Sequence, residues 1–168
     1  MGTALVLAAC GSGNAAQSSG DLASIATNKV SSGEQLPDAT LDRVDGSSVK
    51  TSDLVGMPLV INFWYSTCEP CRRELPAFAS AHGTYGDRVK FVGVNMYDSA
   101  IAAANFAQRY GVGYDILLDT NGELVAELGI ALAPTTILVD AEGTIVYQES
   151  GELTEDEITD LINEWFPA

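Results

Sequence analysis

Apolar positions along most of the chain alternate between strand-like and helix-like spacing. The run PLVINFW, residues 58–64, is continuously apolar and of strand length, as expected for a central strand that is covered on both faces. The next stretch, residues 68–83, places Leu75, Phe78 and Ala79 at helical spacing. The pattern predicts a buried strand that leads directly into a helix.

Similar segments follow as far as the C terminus. We predict strands over residues 88–95, 115–119, 135–140 and 144–150, and helices over residues 99–111, 121–129 and 155–166. Thr154, with Glu157 three residues later, forms a capping-box pattern at the start of the last helix. Strands separated by helices, then a hairpin and a closing helix, predict an α/β fold with a mixed sheet and helices on both faces.

A hairpin precedes these segments. Residues 39–56 alternate around an Asp45-Gly46 turn signal, after which Thr51 or Ser52 can cap a short helical turn closed by Gly56. We therefore predict that the domain begins at about Leu36 with a β-hairpin.

The N-terminal region has a different composition. The first thirteen residues, MGTALVLAACGSG, are apolar but shorter than the roughly 20 residues that cross a bilayer. Leu7-Ala8-Ala9-Cys10 resembles the bacterial lipobox, in which a peptidase cuts before the cysteine and its sulfur is lipidated. The alternative is a cytosolic protein with a disordered start. We expect three parts: a signal remnant (1–10), a flexible tether poor in large apolar groups (11–35) and a single domain (36–168).

Composition narrows the class of protein. The 168 residues are 46% hydrophobic, which is ample for one core. Eight basic residues against 23 acidic ones give a formal net charge of −15, which repels nucleic acid at a distance. Nucleic-acid binding is therefore not expected.

Two of the three cysteines, Cys68 and Cys71, lie three residues apart at the predicted start of a helix. There the leading sulfur lies near unpaired backbone N–H groups and the positive end of the helix dipole, which stabilise a thiolate. Thiol pKa values in such settings fall to roughly 3.5–7.5, and the thiolate is the form that attacks a disulfide. Cys71, one turn later, can resolve the mixed disulfide that Cys68 forms. Pro70 suits a first helical turn because its missing N–H costs little there.

Two other interpretations of this cysteine pair are a metal site and a structural disulfide. A tetrahedral metal site needs two more ligands, but Cys10 lies in the tether and the single histidine, His82, falls about 20 Å along the following helix. No metal is therefore expected, and His82 is expected to have no catalytic role. A structural disulfide in a tethered binding or chaperone-like module stays open.

The segment VINFWYSTCEPCRRELP, residues 60–76, resembles the active-site segment of the thioredoxin superfamily, in particular the TlpA/ResA-like, redoxin-type extracytoplasmic thiol-disulfide oxidoreductases. The Glu-Pro dipeptide between the cysteines is the ResA-like choice. The likeness extends from residue 36 to about 166 and implies a thioredoxin-like fold with an N-terminal β-hairpin and an inserted helix. It implies no cofactor beyond the redox-active Cys68–Cys71 disulfide.

The resemblance also implies roles for other residues. Pro134 is expected in a cis peptide facing the dithiol, exposing the backbone of Ala133 for strand-like pairing with a substrate that Glu69 and Pro70 also contact. Asp98 matches a position where an acidic residue handles protons for the cysteines, and the equal alternative is a helix N-cap.

Thr67 departs from the family pattern, which usually has Trp before the first cysteine, so an aromatic wall is lost.

The direction of electron flow is not decided by local charge. Glu69 opposes a thiolate whereas Arg72 and Arg73 assist it, and each charge is worth about 20 mV against the gap of about 150 mV between thioredoxin and DsbA. From the resemblance we expect a lipid-anchored reductase of disulfides in exported proteins, apocytochrome c among them, served by a membrane redox protein. It would act on the extracytoplasmic face of a bacterial membrane or in secreted or periplasmic form. The alternatives are an oxidase for secreted proteins and the binding module.

Overall fold

The structure, a computed structural model, describes residues 1–2 and 27–168. Cys10, the expected lipidation site, lies outside the described residues. The strands are β1 (Thr40–Arg43), β2 (Ser48–Lys50), β3 (Leu59–Trp64), β4 (Lys90–Asn95), β5 (Asp115–Leu118), β6 (Thr135–Val139) and β7 (Ile145–Ser150). The α-helices are α1 (Glu69–Tyr85), α2 (Ala100–Arg109), α3 (Glu123–Leu128) and α4 (Glu155–Trp165).

These seven strands form one mixed sheet in the order β2-β1-β5-β4-β3-β6-β7. Strands β3, β4 and β5 run parallel, whereas β1, β2, β6 and β7 are joined antiparallel to their neighbours. Strand β3 lies between β4 and β6, and all six of its residues are buried, which accounts for a sequence that is apolar except at Asn62. The predicted mixed sheet is confirmed.

The core has two sides because alternate strand residues face opposite sides of the sheet. Leu59, Ile61 and Phe63 belong to a cluster with residues of α3. Val60 and Trp64, on the other side, pack against residues of α1, α2 and α4. The predicted arrangement of helices on both faces is therefore confirmed, and the cysteine pair lies on the side of α1.

Each predicted boundary from β3 to α4 lies within two residues of the observed one. Helix α1 continues past Gly83 to Tyr85, since glycine in a helix costs only about 1 kcal/mol and the final turn has packing partners. Tyr85 packs against the cluster on that face, and His82 meets the ring of Phe91 edge-on at 5.6 Å. The capping box of Thr154 and Glu157 is present.

The prediction that Thr51 or Ser52 caps a helical turn is wrong. The 3-10 turn is Thr51–Asp53, and its N-cap is Lys50. The Thr51 hydroxyl instead accepts a hydrogen bond from the backbone N–H of Ala39 at 2.9 Å and donates to the carbonyl of Pro37 at 2.6 Å. Thr51 is completely buried, so its hydroxyl is used to join the chain before β1 to the chain after β2.

The predicted start of the domain at Leu36 lies too late. Residues 28–35, assigned to the tether, are hydrogen-bonded to the domain at Gly129, Ile145 and Gln148. Gln35 forms an isolated β-bridge with Thr144. These contacts use backbone and amide groups, so the segment carries little of the apolar pattern by which a domain start is recognised.

No helix among the described residues is both long and apolar enough to cross a membrane.

Candidate active site

Cys68 and Cys71 lie where strand β3 gives way to helix α1. Cys68 is the N-cap of α1, and Cys71 lies in its first turn. Their sulfurs are joined in a disulfide of 2.02 Å, with the Cα atoms 5.2 Å apart. The cysteine pair therefore lies at the start of a helix, as predicted.

The two sulfurs are unequal in their surroundings. The backbone N–H of Cys71 donates to Sγ of Cys68 at 3.2 Å, so a free helix N–H points at the leading sulfur. Cys68 is 4% exposed whereas Cys71 is completely buried. A partner molecule can therefore reach Cys68 alone, and the helix end stabilises negative charge there.

The charged side chains after Cys68 are paired with one another. Arg72 forms an ion pair with Glu69, and Arg73 lies 3.7 Å from the same carboxylate. Arg73 also contacts Glu152 at 2.6 Å. All four side chains are exposed, and each guanidinium has a carboxylate partner, so neither contributes an uncompensated positive charge to the cysteines.

Glu74 is a functional candidate that the sequence does not single out. Its side chain is 2% exposed, and it accepts hydrogen bonds from Asn62 Nδ2 at 2.8 Å and from the backbone N–H of Leu153 at 3.2 Å. Burial raises the pKa of its carboxyl from 4.5 to about 8, and the two hydrogen bonds oppose this only in part. At neutral pH Glu74 is therefore largely protonated.

Glu74 lies three residues after Cys71, so the two side chains share one face of α1. The available sequence signal was an acidic residue on the buried face of a helix, paired with the one polar residue, Asn62, in an otherwise apolar strand. A buried titratable group that has a strongly shifted pKa and lies close to a redox pair is typical of a functional residue.

The loop between α3 and β6 carries the other predicted site residues. The peptide bond between Ala133 and Pro134 is cis, as the resemblance implied. Ala133 packs against the cluster that contains both cysteines. Neither the N–H nor the C=O of Ala133 has a hydrogen-bonding partner among residues 27–168, which leaves one donor and one acceptor free beside the disulfide.

Asp98 holds the loop in front of Cys68. Its carboxylate accepts hydrogen bonds from the N–H of Ser66 at 2.7 Å, from the Ser66 hydroxyl at 2.6 Å and from Asn95 Nδ2 at 2.7 Å. The alternative that Asp98 is an N-cap is wrong, because the N-cap of α2 is Ser99. Asp98 is thus linked to the site through its hydrogen bonds to Ser66, which lies two residues before Cys68.

Exposed aromatic surface remains near the cysteines although position 67 is Thr. Tyr97 is 70% exposed and meets the ring of Tyr65 edge-on at 5.2 Å. Thr67 is itself exposed. Thr67 thus provides no aromatic surface before Cys68, but two neighbouring loops supply an aromatic pair, Tyr65 and Tyr97.

His82 lies in the last turn of α1, away from the cysteines, with its ring against Phe91 and Tyr114. Within the described part of the chain, no group of three or more His, Cys, Asp or Glu side chains is arranged to hold a metal ion.

Comparison with known proteins agrees with this geometry. The sequence profile of the Redoxin family matches residues 31–162. Thiol-disulfide oxidoreductase ResA of Bacillus subtilis is 35% identical over 135 residues, covering 80% of this chain and 75% of the relative. ResA of Halalkalibacterium halodurans is 31% identical over 131 residues, covering 77% and 74%. The solved structure of StoA from Bacillus subtilis superposes with a TM-score of 0.64 at 27% identity, covering 74% of this chain and 96% of that one.

The resemblance seen in residues 60–76 is thereby confirmed over nearly the whole domain. The profile covers most of the described residues, and both relatives are named thiol-disulfide oxidoreductases. The chain belongs to the Redoxin family, as a thiol-disulfide oxidoreductase of the ResA and StoA type.

Proposed function

We propose that this protein reduces disulfides of exported proteins on the extracytoplasmic side of a bacterial membrane. The observation that carries the proposal is the buried Glu74 carboxyl one turn after Cys71. An oxidant of the DsbA kind needs a strongly stabilised thiolate in its reduced form. Here Arg72 and Arg73 are paired with carboxylates, and Glu74, which is largely protonated at neutral pH, places no positive charge near Cys71. Neither feature supplies the additional thiolate stabilisation that an oxidant needs.

The reaction begins at Cys68. The Cys68 thiolate attacks one sulfur of the substrate disulfide, so that a mixed disulfide forms and the other substrate sulfur leaves as a thiolate and takes up a proton. Cys71 then attacks Sγ of Cys68, releasing the second substrate thiol and closing the disulfide seen here. Two electrons pass from the cysteine pair to the substrate.

Glu74 accepts the proton that Cys71 must lose when its carboxyl is ionised, a minor form at neutral pH that becomes more populated as the pH approaches about 8. A pKa of about 8 lies close to the ordinary value of a thiol, about 8.5, so proton transfer between the two groups is nearly balanced. Side chains at i and i+3 have Cβ atoms about 5–6 Å apart, a gap that one water molecule can bridge. In the disulfide state the proton stays on Glu74 at neutral pH.

Ala133 provides the substrate with a short strand partner. Its free N–H and C=O lie next to the cluster of Cys68 and Cys71, in the loop that the cis-proline shapes. An extended substrate segment that carries a cysteine can add both hydrogen bonds there, as in strand addition at a sheet edge. Glu69 and Pro70 lie next to Cys68 in the chain and are proposed to contact the same segment.

The cellular setting rests on the N-terminal sequence and on the relatives. Lipidation of Cys10 would anchor the domain at the membrane surface, and a membrane redox protein would return electrons to the Cys68–Cys71 pair. Apocytochrome c is the client that the resemblance suggests. No cofactor besides the cysteine pair is proposed.

One assay separates the three functions considered. The full chain is incubated with a peptide that carries one disulfide, in the presence of dithiothreitol, and in parallel with the reduced peptide in the absence of reductant. We expect faster reduction of the disulfide peptide and little oxidation of the reduced one, with both activities lost in the Cys68→Ser variant. Preferential oxidation would indicate an oxidase, and inactivity in both directions would indicate a structural disulfide.

A further inference from the structure

One side chain, Asn28, fastens the segment before the first strand to the cis-proline loop. Oδ1 of Asn28 accepts hydrogen bonds from the backbone N–H groups of Ala131 and Leu132, both at 2.7 Å. Its Nδ2 donates to Thr135 Oγ1 at 2.6 Å and to Ser150 Oγ at 2.7 Å. All four partners lie more than 100 residues further along the chain.

Residues 27–31, here called the strap, continue along the same loop. The N–H of Lys29 donates to the carbonyl of Gly129 at 3.0 Å, and Gln148 Nε2 donates to the carbonyl of Lys29 at 2.6 Å. A Cβ atom at Gly129 would lie 2.7 Å from Cβ of Lys29, so the close approach needs glycine there. Backbone hydrogen bonds, side-chain hydrogen bonds and the close approach at Gly129 therefore all hold the strap against the loop.

The cis-proline loop depends on this contact because it has few hydrogen bonds of its own. At its start Ile130 N–H donates to Val125, and at its end the Thr135 hydroxyl donates to the carbonyl of Leu132 at 2.8 Å. Between these points, the amides of Ala131 and Leu132 are bonded to Asn28. The Thr135 hydroxyl that Asn28 contacts is the one that closes the loop.

We propose that Asn28 is a positioning residue that sets the substrate-binding loop, fixing the orientation of the Ala133 backbone toward Cys68. This inference rests on the proposed pairing of substrate with Ala133. None of the hydrogen bonds of Asn28 involves a cysteine, so Asn28 acts on substrate binding and not on the sulfur chemistry. A peptide disulfide, which pairs with the loop, should be sensitive to Asn28, whereas a small aromatic disulfide, which has no backbone, should not.

The test uses the full chain with Asn28→Ala, the conservative Asn28→Asp and the control Lys29→Ala. Asn28→Asp keeps an acceptor for the Ala131 and Leu132 amides. Lys29→Ala, also in the strap, removes an exposed ion pair with Glu34 and keeps the backbone contacts of Lys29. Each variant is assayed with a peptide disulfide and with a small aromatic disulfide. Hydrogen exchange of the Ala131 and Leu132 amides and thermal unfolding are measured alongside.

For Asn28→Ala we expect KM for the peptide to rise about tenfold, the change that one or two net hydrogen bonds would produce, with kcat and the small-disulfide rate unchanged. The Ala131 and Leu132 amides should exchange faster, Asn28→Asp should restore most of the affinity, and Lys29→Ala should match the wild type. An unchanged KM with faster exchange would overturn the inference, as would equal losses for both disulfides. Failure of the wild type itself to reduce the peptide would instead refute the proposed function.

Discussion

Asn62 in strand β3 donates a hydrogen bond of 2.8 Å to Glu74 in helix α1, and both side chains are buried. A neutral amide can offset only part of what burying a carboxylate costs, and the pKa of Glu74 accordingly rises to about 8. The pair thus keeps a proton inside the protein, one turn from Cys71, at the pH where disulfide exchange takes place.

The first prediction concerns stability against pH. In the unfolded chain Glu74 ionises near 4.5, whereas in the folded chain its pKa is about 8. Between these values the native state holds a proton that the unfolded state has lost, so rising pH favours unfolding by about 1.4 kcal/mol per pH unit, or roughly 3–5 kcal/mol in all. The Glu74→Gln variant should lack this slope.

Denaturant unfolding of the oxidised protein at pH 5 and pH 8 measures this difference. The other carboxyls with shifted pKa values, Asp45 and Glu157, lie below their ordinary values, and the pKa of Tyr147 is raised above 10, so these groups titrate outside the window. Parallel pH dependence in wild type and Glu74→Gln would show that Glu74 is ionised when folded.

The second prediction concerns the resolving step. Without a proton acceptor at position 74, attack by Cys71 on the mixed disulfide should slow about 100-fold, the lower end of general-base effects, while attack by Cys68 changes little. Quenched-flow alkylation should detect accumulation of the mixed disulfide in Glu74→Gln. Glu152→Gln is the matched control because it removes a neighbouring but exposed carboxylate. No accumulation would remove Glu74 from the mechanism.

The third prediction assigns Asp98 to holding the loop before Cys68. Asp98→Ala removes the acceptor of three hydrogen bonds and should cost about 2–3 kcal/mol of unfolding free energy, whereas Ser66→Ala removes one of them and should cost about 1 kcal/mol. Both should slow alkylation of reduced Cys68 in the same order. If Asp98 instead relayed protons, Ser66→Ala would leave the alkylation rate at the wild-type value.

A fourth prediction separates stability from chemistry. The Thr154 hydroxyl accepts from the N–H of Glu157 in the capping box of α4. Thr154→Ala should cost about 1 kcal/mol of unfolding free energy, measured by urea titration, and leave disulfide exchange unchanged. A loss of exchange activity in this variant would mean that general destabilisation, and not the site, underlies the effects at Asp98.

The helices and strands of the fold could be predicted from the sequence because each depends on local hydrophobic periodicity and on capping or turn residues. Strand β3 is apolar except at Asn62, Thr154 and Glu157 form their capping box within one turn, and Cys68 ends a loop directly before a helical pattern. Such signals need no knowledge of distant residues.

Glu74 and Asn28 were not accessible in this way. The raised pKa of Glu74 depends on how completely strand β3 and the chain at Leu153 cover it, and the role of Asn28 depends on a loop more than 100 residues away. Asp98 was singled out for its place in a pattern, but its partner, Ser66, lies 32 residues earlier in another loop. Hydrogen bonds between residues that are far apart in the chain produce no periodic pattern in the sequence.

The reduction potential of the Cys68–Cys71 couple, measured against glutathione at pH 7 with the full chain, tests the central claim most directly. The reductase proposed here, whose arginines after Cys68 are paired with carboxylates, should have a value near or below about −250 mV, on the scale where thioredoxin is about −270 mV. A value near about −120 mV, that of DsbA, would contradict the account and identify an oxidase.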